Sequence, residues 1–183
     1  MANLPERMAL SSSSILAAGI TATGAEAVGT MVKAKKICLA ASAGGHLSQL
    51  LKVAGCTSGH EVFIVTTSET VRAGLASMGR VHVVGECNRE HLRRLMGVLL
   101  RCIRIVSRER PQVIISTGAA PACLCCLLGK LLGAKIVWVD SVTNVERISL
   151  SGRIIRPLSD LFLVQWPELV EKYRGVEYAG AII

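Results

Sequence analysis

The chain has 183 residues, a formal net charge of +8, and a hydrophobic fraction of 51% with only 3% aromatic residues. This length suffices for one domain with a buried core, and the apolar fraction excludes an intrinsically disordered chain. A core poor in aromatic residues must be aliphatic, which is typical of the Val, Ile and Leu runs in buried parallel strands. The positive charge favours a phosphate-bearing partner, whether nucleic acid, an anionic membrane surface or a phosphorylated substrate.

Residues 1–32 differ in composition from the rest of the chain and are interpreted as a leader. Their run SSSSILAAGITATGAEAVGT is rich in Ser, Ala, Gly and Thr and is too polar to predict a membrane span. A signal peptide, a true start at Met31, and a flexible or weakly membrane-contacting segment are the open alternatives. We expect residues 33–183 to form the folded domain.

From residue 33 onward, apolar strand patterns alternate with helical patterns. The predicted strands are 36–41, 61–66, 81–84, 112–116, 135–139, 161–165 and 176–178. The predicted helices are 46–55, 69–78, 90–109, 120–132, 152–158 and 167–173. This alternation predicts right-handed crossovers and a Rossmann-like α/β fold, in which a parallel sheet carries helices on both faces. Ligands of such folds bind beyond the carboxyl ends of the strands, so each loop after a strand is a candidate site.

The loop after the first predicted strand, ASAGGH at 41–46, is the first candidate. Ser42, Gly44 and Gly45 suit a phosphate or pyrophosphate, because glycines let the backbone approach an anion that the following helix N-terminus attracts. His46 at the helix start is placed to act as a base or to hydrogen-bond an acceptor. A tight turn with a solvated histidine is the alternative, since the full G-x-G-x-x-G dinucleotide fingerprint is absent.

Two later loops also carry polar residues where predicted strands end. In STGAAP, the hydroxyl of Thr117 and the turn at Gly118 suit an anion or a sugar hydroxyl, and an ordinary capped turn is the alternative. In DSVTN, Asp140 and Asn144 are candidates to orient a substrate hydroxyl. A helix cap or a loop hydrogen bond explains a carboxylate at this position at least as well.

The predicted helix 90–109 places five arginines within roughly a 100° arc. They are Arg93, Arg94, Arg101, Arg104 and Arg108. The rest of the circumference is mostly apolar, which is more than packing on one sheet face requires, so another helix, a partner chain or lipid should cover part of it. We expect the arginines to meet anionic headgroups or a lipid-linked phosphate, with a solvated basic face as the alternative. Nucleic acid is not expected, because no aromatic platform or known binding motif accompanies the charge.

The seven cysteines lie in apolar contexts such as KICLA and CLCCLL. Cys123 and Cys126 have the C-x-x-C spacing, but they lie on an apolar predicted helix without a second pair of ligands. We therefore predict packed core thiols in a reducing, cytosolic compartment, and no metal site.

The last part of the sequence, RISLSGRIIRPLSDLFLVQWPELVEKYRGVEYAGAII from residue 147 to 183, closely resembles the end of a known family. This family is the membrane-anchoring subunit of the two-component N-acetylglucosaminyltransferase that makes dolichol-linked chitobiose, and its bacterial relatives act in capsule and exopolysaccharide assembly. SLSG, PLSDLFLVQWPEL and EKY are its most specific parts, and the AGGHLSQL and IISTGAAP loops agree with it. The resemblance covers residues 35–183, and a distant likeness extends to the amino-terminal half of the enzyme that completes peptidoglycan lipid II.

The resemblance implies the amino-terminal half of a GT-B glycosyltransferase, whose UDP-sugar-binding catalytic half is a separate chain. The present chain would bind a polyprenyl-pyrophosphate-linked sugar acceptor at the cytoplasmic membrane face and recruit that partner into a heterodimer. It also implies that Gly44, Gly45 and His46 face the acceptor, with His46 as the best candidate for a catalytic base. The expected partner interface includes Trp166, Tyr178, Ile182 and Ile183. An inverting transfer of this type requires a base and no metal, so no cofactor is expected.

Two departures from the eukaryotic members affect these expectations. Asp140 stands where they carry a glutamate, and the leader is a poor substitute for their amino-terminal membrane helix. Attachment is therefore expected to be peripheral, through helix 90–109 or the leader. A free-standing nucleotide-binding module and a non-catalytic membrane scaffold are the competing interpretations, and the donor sugar stays open because the partner selects it.

Overall fold

Seven parallel strands form one sheet in the computed structural model, which describes residues 33–86 and 92–182. The strands are β1 (Lys36–Ala41), β2 (Glu61–Thr66), β3 (Arg80–Val83), β4 (Val113–Gly118), β5 (Lys135–Val139), β6 (Leu161–Val164) and β7 (Glu177–Tyr178). Their order across the sheet is β3-β2-β1-β4-β5-β6-β7, and every neighbouring pair is parallel. The predicted α/β Rossmann-like fold is confirmed, while the leader at 1–32 and Ile183 lie outside the described residues.

Six α-helices connect the strands within the described part of the chain. They are α1 (Gly45–Val53), α2 (Arg72–Leu75), α3 (Leu92–Glu109), α4 (Ala120–Leu131), α5 (Leu150–Ile155) and α6 (Glu168–Lys172). Short 3-10 turns at Ala54–Thr57 and Arg156–Leu158 continue α1 and α5, and a third, Glu69–Val71, precedes α2. Each predicted strand and helix has a counterpart, mostly within two residues of its expected ends.

The helix predicted over 69–78 is wrong in extent, because only the 3-10 turn and the four-residue α2 form there. The β-branched Thr70 and Val71 weaken a helix start, and the chain must then pass tightly against β2 at Gly79. Gly79 has a φ of +152°, and a Cβ on it would collide with the carbonyl oxygen of Val62. β3 begins directly after this close contact, at Arg80, one residue earlier than predicted.

Helices cover both faces of the sheet, and each face has its own core. The smaller core joins α1 and α2 to one face through Leu50, Leu75 and Ile64. The larger core packs the four helices α3, α4, α5 and α6 against the other face. Its members include Phe63, Val98, Cys102, Cys126, Trp138, Ile155, Phe162 and Leu169.

The cysteines of α4 pack in the larger core as free thiols, as predicted. Cys123, Cys125 and Cys126 are all buried, and burial raises the pKa of Cys123 to about 11. These thiols therefore stay protonated and behave as small apolar side chains.

A buried carboxylate at the amino edge of the sheet joins α3 to two strands. Glu109, the last residue of α3, contacts Lys36 Nζ at 2.7 Å, Arg80 Nη1 at 2.8 Å and His82 Nε2 at 3.0 Å. Burial alone would raise the pKa of Glu109, but the hydrogen bonds from these three partners outweigh it and lower the pKa from 4.5 to about 2. The cluster thus fixes the end of α3 against β1 and β3.

We predict that Glu109→Gln lowers the free energy of unfolding by about 3 kcal/mol at pH 7, because it leaves Lys36 without its buried counter-charge. Since the pKa of Glu109 is lower in the folded state, its contribution is complete above pH 4.5 and is lost as the pH falls towards 2. Urea unfolding of both proteins from pH 2 to 7 measures this. The control is Glu61→Gln, because the exposed Glu61 contacts the same Lys36 at 3.2 Å and should contribute under about 1 kcal/mol. Equal losses for the two variants would contradict a special role of Glu109.

Candidate functional site

Two loops meet at the carboxyl edge of the sheet where β1 and β4 lie side by side. The strand order reverses between these two strands, and this is where open α/β sheets form ligand crevices. β4 runs two residues beyond its predicted end, so that Gly118 pairs with Ala41 after a shift in register. This pairing places the loop after β1 directly against the loop after β4.

His46, the second residue of α1, is held by a reciprocal pair of hydrogen bonds with Thr117. Its Nδ1 lies 2.9 Å from the carbonyl oxygen of Thr117, whose hydroxyl donates to the carbonyl oxygen of His46 at 2.6 Å. A carbonyl oxygen can only accept, so Nδ1 carries a proton. In the neutral imidazole, Nε2 is then the unprotonated nitrogen, which is the state that a general base requires.

Gly118 leaves room for this imidazole. Its φ is +127°, and a Cβ added to it would lie 2.9 Å from Cε1 of His46. Ala119, which follows, has a φ of +75°, a conformation that L-residues rarely adopt outside functional turns. This strained turn joins the end of β4 to the start of α4.

A cavity of about 270 Å³ opens between these loops. It is lined by Ser42, Ala43, Thr67, Glu86, Ala119, Ala120 and Pro121. The amide of Ala43 donates to Thr67 Oγ1 at 3.0 Å, so the end of β2 fixes the first loop. The first turn of α4 faces the cavity and favours an anion, while the carboxylate of Glu86 suits a sugar hydroxyl.

Of the residues predicted for this site, Ser42 lines the cavity, whereas Thr117 and Gly118 contact His46. Gly44 and Gly45 are exposed at the start of α1, where Gly44 has a φ of +102°. Thr67 and Glu86 were missed by the sequence analysis. Both follow predicted strands, so the expectation that ligands bind beyond the carboxyl ends of the strands would have found them. Whether these residues bind a ligand stays a prediction.

Asp140 occupies a different position, under the loop after β5. It is 1% exposed, and its carboxylate accepts four hydrogen bonds from within the chain. Ser149 donates two of them, from its amide at 2.8 Å and its hydroxyl at 2.6 Å, and Trp138 and Asn144 each donate one at 3.2 Å. This geometry favours the structural alternative for both residues, because Asp140 ties the loop to the start of α5 and Asn144 donates to Asp140.

The residues predicted for a partner interface lie on and beyond the last two strands. Trp166 is half-buried, packs against the larger core, and donates its indole N–H to the carbonyl of Val142 at 2.7 Å. Tyr178 is exposed on β7, and the amide of Ile182 donates to the side chain of Gln165 at 2.8 Å. Gln165 was predicted only as a strand end, because its partners are far away in the sequence.

The predicted arginine stripe lies on the exposed side of α3. Arg93, Arg94 and Arg101 line a second cavity with Glu86, which also lines the first one, and Arg101 donates to the carbonyl of Val84 at 2.9 Å. Arg104 and Arg108 continue the exposed basic surface along the helix.

Beside this stripe lie the exposed apolar side chains of α3. Met96 is 49% exposed, Leu100 59% and Ile103 39%, and their spacing places them on one side of the helix. The sequence predicted more apolar surface on this helix than packing on the sheet requires, and these exposed side chains confirm it. No helix in the part of the chain that the structure describes is long and apolar enough to cross a bilayer. Within the same residues, no group of three or more His, Cys, Asp or Glu side chains is arranged to hold a metal ion.

Comparison with solved structures defines the class of this fold. MurG from Acinetobacter baumannii superposes with a TM-score of 0.63 at 13% sequence identity, and the match covers 79% of this chain and 45% of that one. The chain thus has the Rossmann-like fold found in GT-B glycosyltransferases, as predicted, and corresponds to under half the length of that enzyme.

Sequence comparison defines the family. The family described as "Oligosaccharide biosynthesis protein Alg14 like" matches residues 61–182, about two thirds of the chain, and the chain belongs to this family. Two relatives are named UDP-N-acetylglucosamine transferase subunit ALG14. The one from Yarrowia lipolytica is 39% identical over 87 residues, which are 44% of this chain and 40% of that protein. The one from Rattus norvegicus is 29% identical over 178 residues, which are 80% of this chain and 82% of that protein.

We predict that Gly118→Ala lowers the free energy of unfolding by about 1–3 kcal/mol and displaces the His46 ring, because the added Cβ meets the ring in a strained backbone conformation. Thermal unfolding and the 15N shifts of the His46 imidazole measure the two effects. Gly45→Ala is the matched control, since a Cβ at Gly45 has no neighbour within 4 Å and a helical alanine costs nothing. An unchanged His46 spectrum in Gly118→Ala would contradict the contact.

Proposed function

We propose that the chain is the acceptor-side subunit of a split GT-B glycosyltransferase. In this proposal it binds a polyprenyl-pyrophosphate-linked sugar at the cytoplasmic membrane face and recruits a separate subunit that binds the UDP-sugar. The observation that carries the proposal is the pair of hydrogen bonds between His46 and Thr117, which in the neutral imidazole makes Nε2 the nitrogen without a proton, at the point where the strand order reverses. The family membership supports the same conclusion.

The chemical step that this geometry supports is a single displacement. Nε2 of His46 takes the proton of an acceptor hydroxyl, and the hydroxyl oxygen forms a bond with the anomeric carbon of the donor. The bond from that carbon to the UDP oxygen breaks, and UDP leaves with the electron pair. The chain supplies the base and the acceptor site, while the partner supplies the donor site. His46 keeps the required tautomer because Thr117 accepts the proton of Nδ1.

The two cavities, which share Glu86 in their walls, suit the two ends of a lipid-linked sugar. The start of α4 and the arginines Arg93, Arg94 and Arg101 provide positive charge for a pyrophosphate. Glu86 stands between them and can accept a hydrogen bond from a sugar hydroxyl, but it would repel a phosphate placed directly against it. We therefore propose the sugar beside Glu86 and His46, and the pyrophosphate towards the arginines.

The exposed side of α3 supports peripheral attachment to a membrane. Met96, Leu100 and Ile103 offer apolar surface next to a basic stripe, which is the arrangement by which helices lie in the interface of anionic bilayers. This position would bring the arginines to the depth of the lipid phosphates. Residues 1–32 would add to the attachment.

The names of the relatives favour UDP-N-acetylglucosamine as the donor, and the family description favours an oligosaccharide as the product, which we propose to be lipid-linked. Capsule or exopolysaccharide assembly is the other product class that we propose to test. The partner would contact the carboxyl-terminal surface that includes Trp166, Tyr178 and Ile182.

We predict that His46→Ala lowers kcat for sugar transfer in the assembled complex by about 10²–10⁴-fold, the usual contribution of a general base. Transfer of radiolabelled sugar to lipid in membranes measures kcat, and co-purification checks that the complex assembles. Ser48→Ala is the control, because Ser48 lies exposed in the same helix turn and bonds only to the carbonyl of Gly44. If His46→Ala leaves transfer intact while truncation of the carboxyl terminus abolishes it, the chain is a scaffold and the proposal fails.

We predict that Leu100→Asp weakens binding to vesicles containing anionic lipid by about tenfold, since it removes an exposed apolar side chain that would insert into the bilayer and adds a charge that anionic lipid repels. Sedimentation of the full chain with phosphatidylglycerol vesicles measures the binding. Leu131→Asp is the control, because Leu131 ends α4 and is even more exposed, at 83%. Equal effects of the two variants would show that α3 has no special contact with the membrane.

A further inference from the structure

A single buried amide joins three distant segments at the carboxyl edge of the sheet. Gln165, just after β6, is 1% exposed. Its Nε2 donates to Oε1 of Gln49 at 2.9 Å and to the carbonyl oxygen of Asp140 at 2.9 Å, and its Oε1 accepts from the amide of Ile182 at 2.8 Å. The partners belong to α1, to the loop after β5 and to the carboxyl-terminal segment.

The orientation of this amide is determined by its partners. The Ile182 amide can only donate and the Asp140 carbonyl can only accept, so the oxygen and nitrogen of Gln165 cannot exchange places. Both N–H groups and the oxygen are thereby used. A buried amide that loses one partner keeps the desolvation cost without the hydrogen bond, so the three contacts stabilise one another.

The contact with Gln49 matters because of where Gln49 lies. It is 9% exposed and follows His46 by three residues on α1. Thr117 holds the first turn of α1 through His46, and Gln165 holds the next turn through Gln49. Both anchors together set the rotation and height of α1 over the sheet, and hence the direction of Nε2.

We propose that Gln165 is a positioning residue. Through it, the position of His46 depends on whether the amide of Ile182 is hydrogen-bonded to Gln165. When the amide of Ile182 donates to Gln165, the side chain of Gln165 is oriented to donate to Gln49 on α1. When this hydrogen bond is broken, Oε1 of Gln165 loses its donor, and Gln165 and α1 can shift. The role of His46 as base rests on the proposed function, whereas the mechanical link does not.

This link predicts that a substitution at Ile182 changes the environment of the His46 imidazole. Ile182→Pro removes the amide hydrogen that Gln165 accepts, and Ile182→Ala keeps it while removing the side chain. Ile182 belongs to neither of the two cores, so both proteins should fold. Gln49→Leu provides a second test, because it breaks the contact on the α1 side and leaves the Ile182 hydrogen bond in place.

The experiment records the imidazole nitrogens of His46 in the full chain labelled with 15N-histidine. We expect Ile182→Pro and Gln49→Leu to shift both nitrogen resonances towards a mixture of tautomers, and Ile182→Ala to match the parent. Identical His46 resonances in all four proteins would overturn the inference.

A kinetic measurement separates this inference from the proposed function. In the complex with the UDP-sugar subunit, we expect Ile182→Pro to lower kcat at least tenfold relative to Ile182→Ala, with KM for the UDP-sugar unchanged. A raised KM with an unchanged imidazole spectrum would mean that the tail acts only on the partner, which overturns the inference. A shifted spectrum with full transfer activity would confirm the link and refute His46 as the base.

Discussion

The site depends on the pairing of β1 with β4 at the centre of the sheet. Because Ala41 pairs with Gly118, the two loops come close enough for His46 and Thr117 to exchange hydrogen bonds. The exchange fixes the tautomer of the imidazole, and the missing side chain at Gly118 provides the space for it. The sheet order thus sets the chemistry of the site, since a histidine on a loop without this neighbour would have no fixed proton position.

The same edge of the sheet carries the other features on which the proposed binding of a lipid-linked acceptor rests. α3 begins near this edge, and three of its arginines share a cavity wall with Glu86, which also lines the cavity between the loops after β1 and β4. The opposite end of α3 is anchored by Glu109 to Lys36 and Arg80 at the amino edge. One end of the helix is therefore held by buried charges, and its outer side stays free to expose both arginines and apolar side chains.

Much of this arrangement could be predicted from sequence. The apolar runs of β1, β2 and β5 are buried on both faces and predict their strands directly, and the strand-end rule locates Ser42, His46 and Thr117. Two kinds of feature could not be predicted. Gln165 acts through Gln49 and Ile182, which are remote in sequence, and the internal use of Asp140 depends on the amide of Ser149. A loop carboxylate looks alike in a sequence whether it binds substrate or caps a helix.

The central claim is that this chain is one half of a divided glycosyltransferase, and isolation of the native complex tests it most directly. The full chain would be tagged at residue 1 and purified from its own membranes. Mass spectrometry would then identify the bound chains, and UDP-sugars would be assayed for transfer to lipid. The account predicts a second chain with a UDP-sugar-binding fold and transfer activity that requires both chains. A chain that purifies alone, or transfers sugar without a partner, would contradict it.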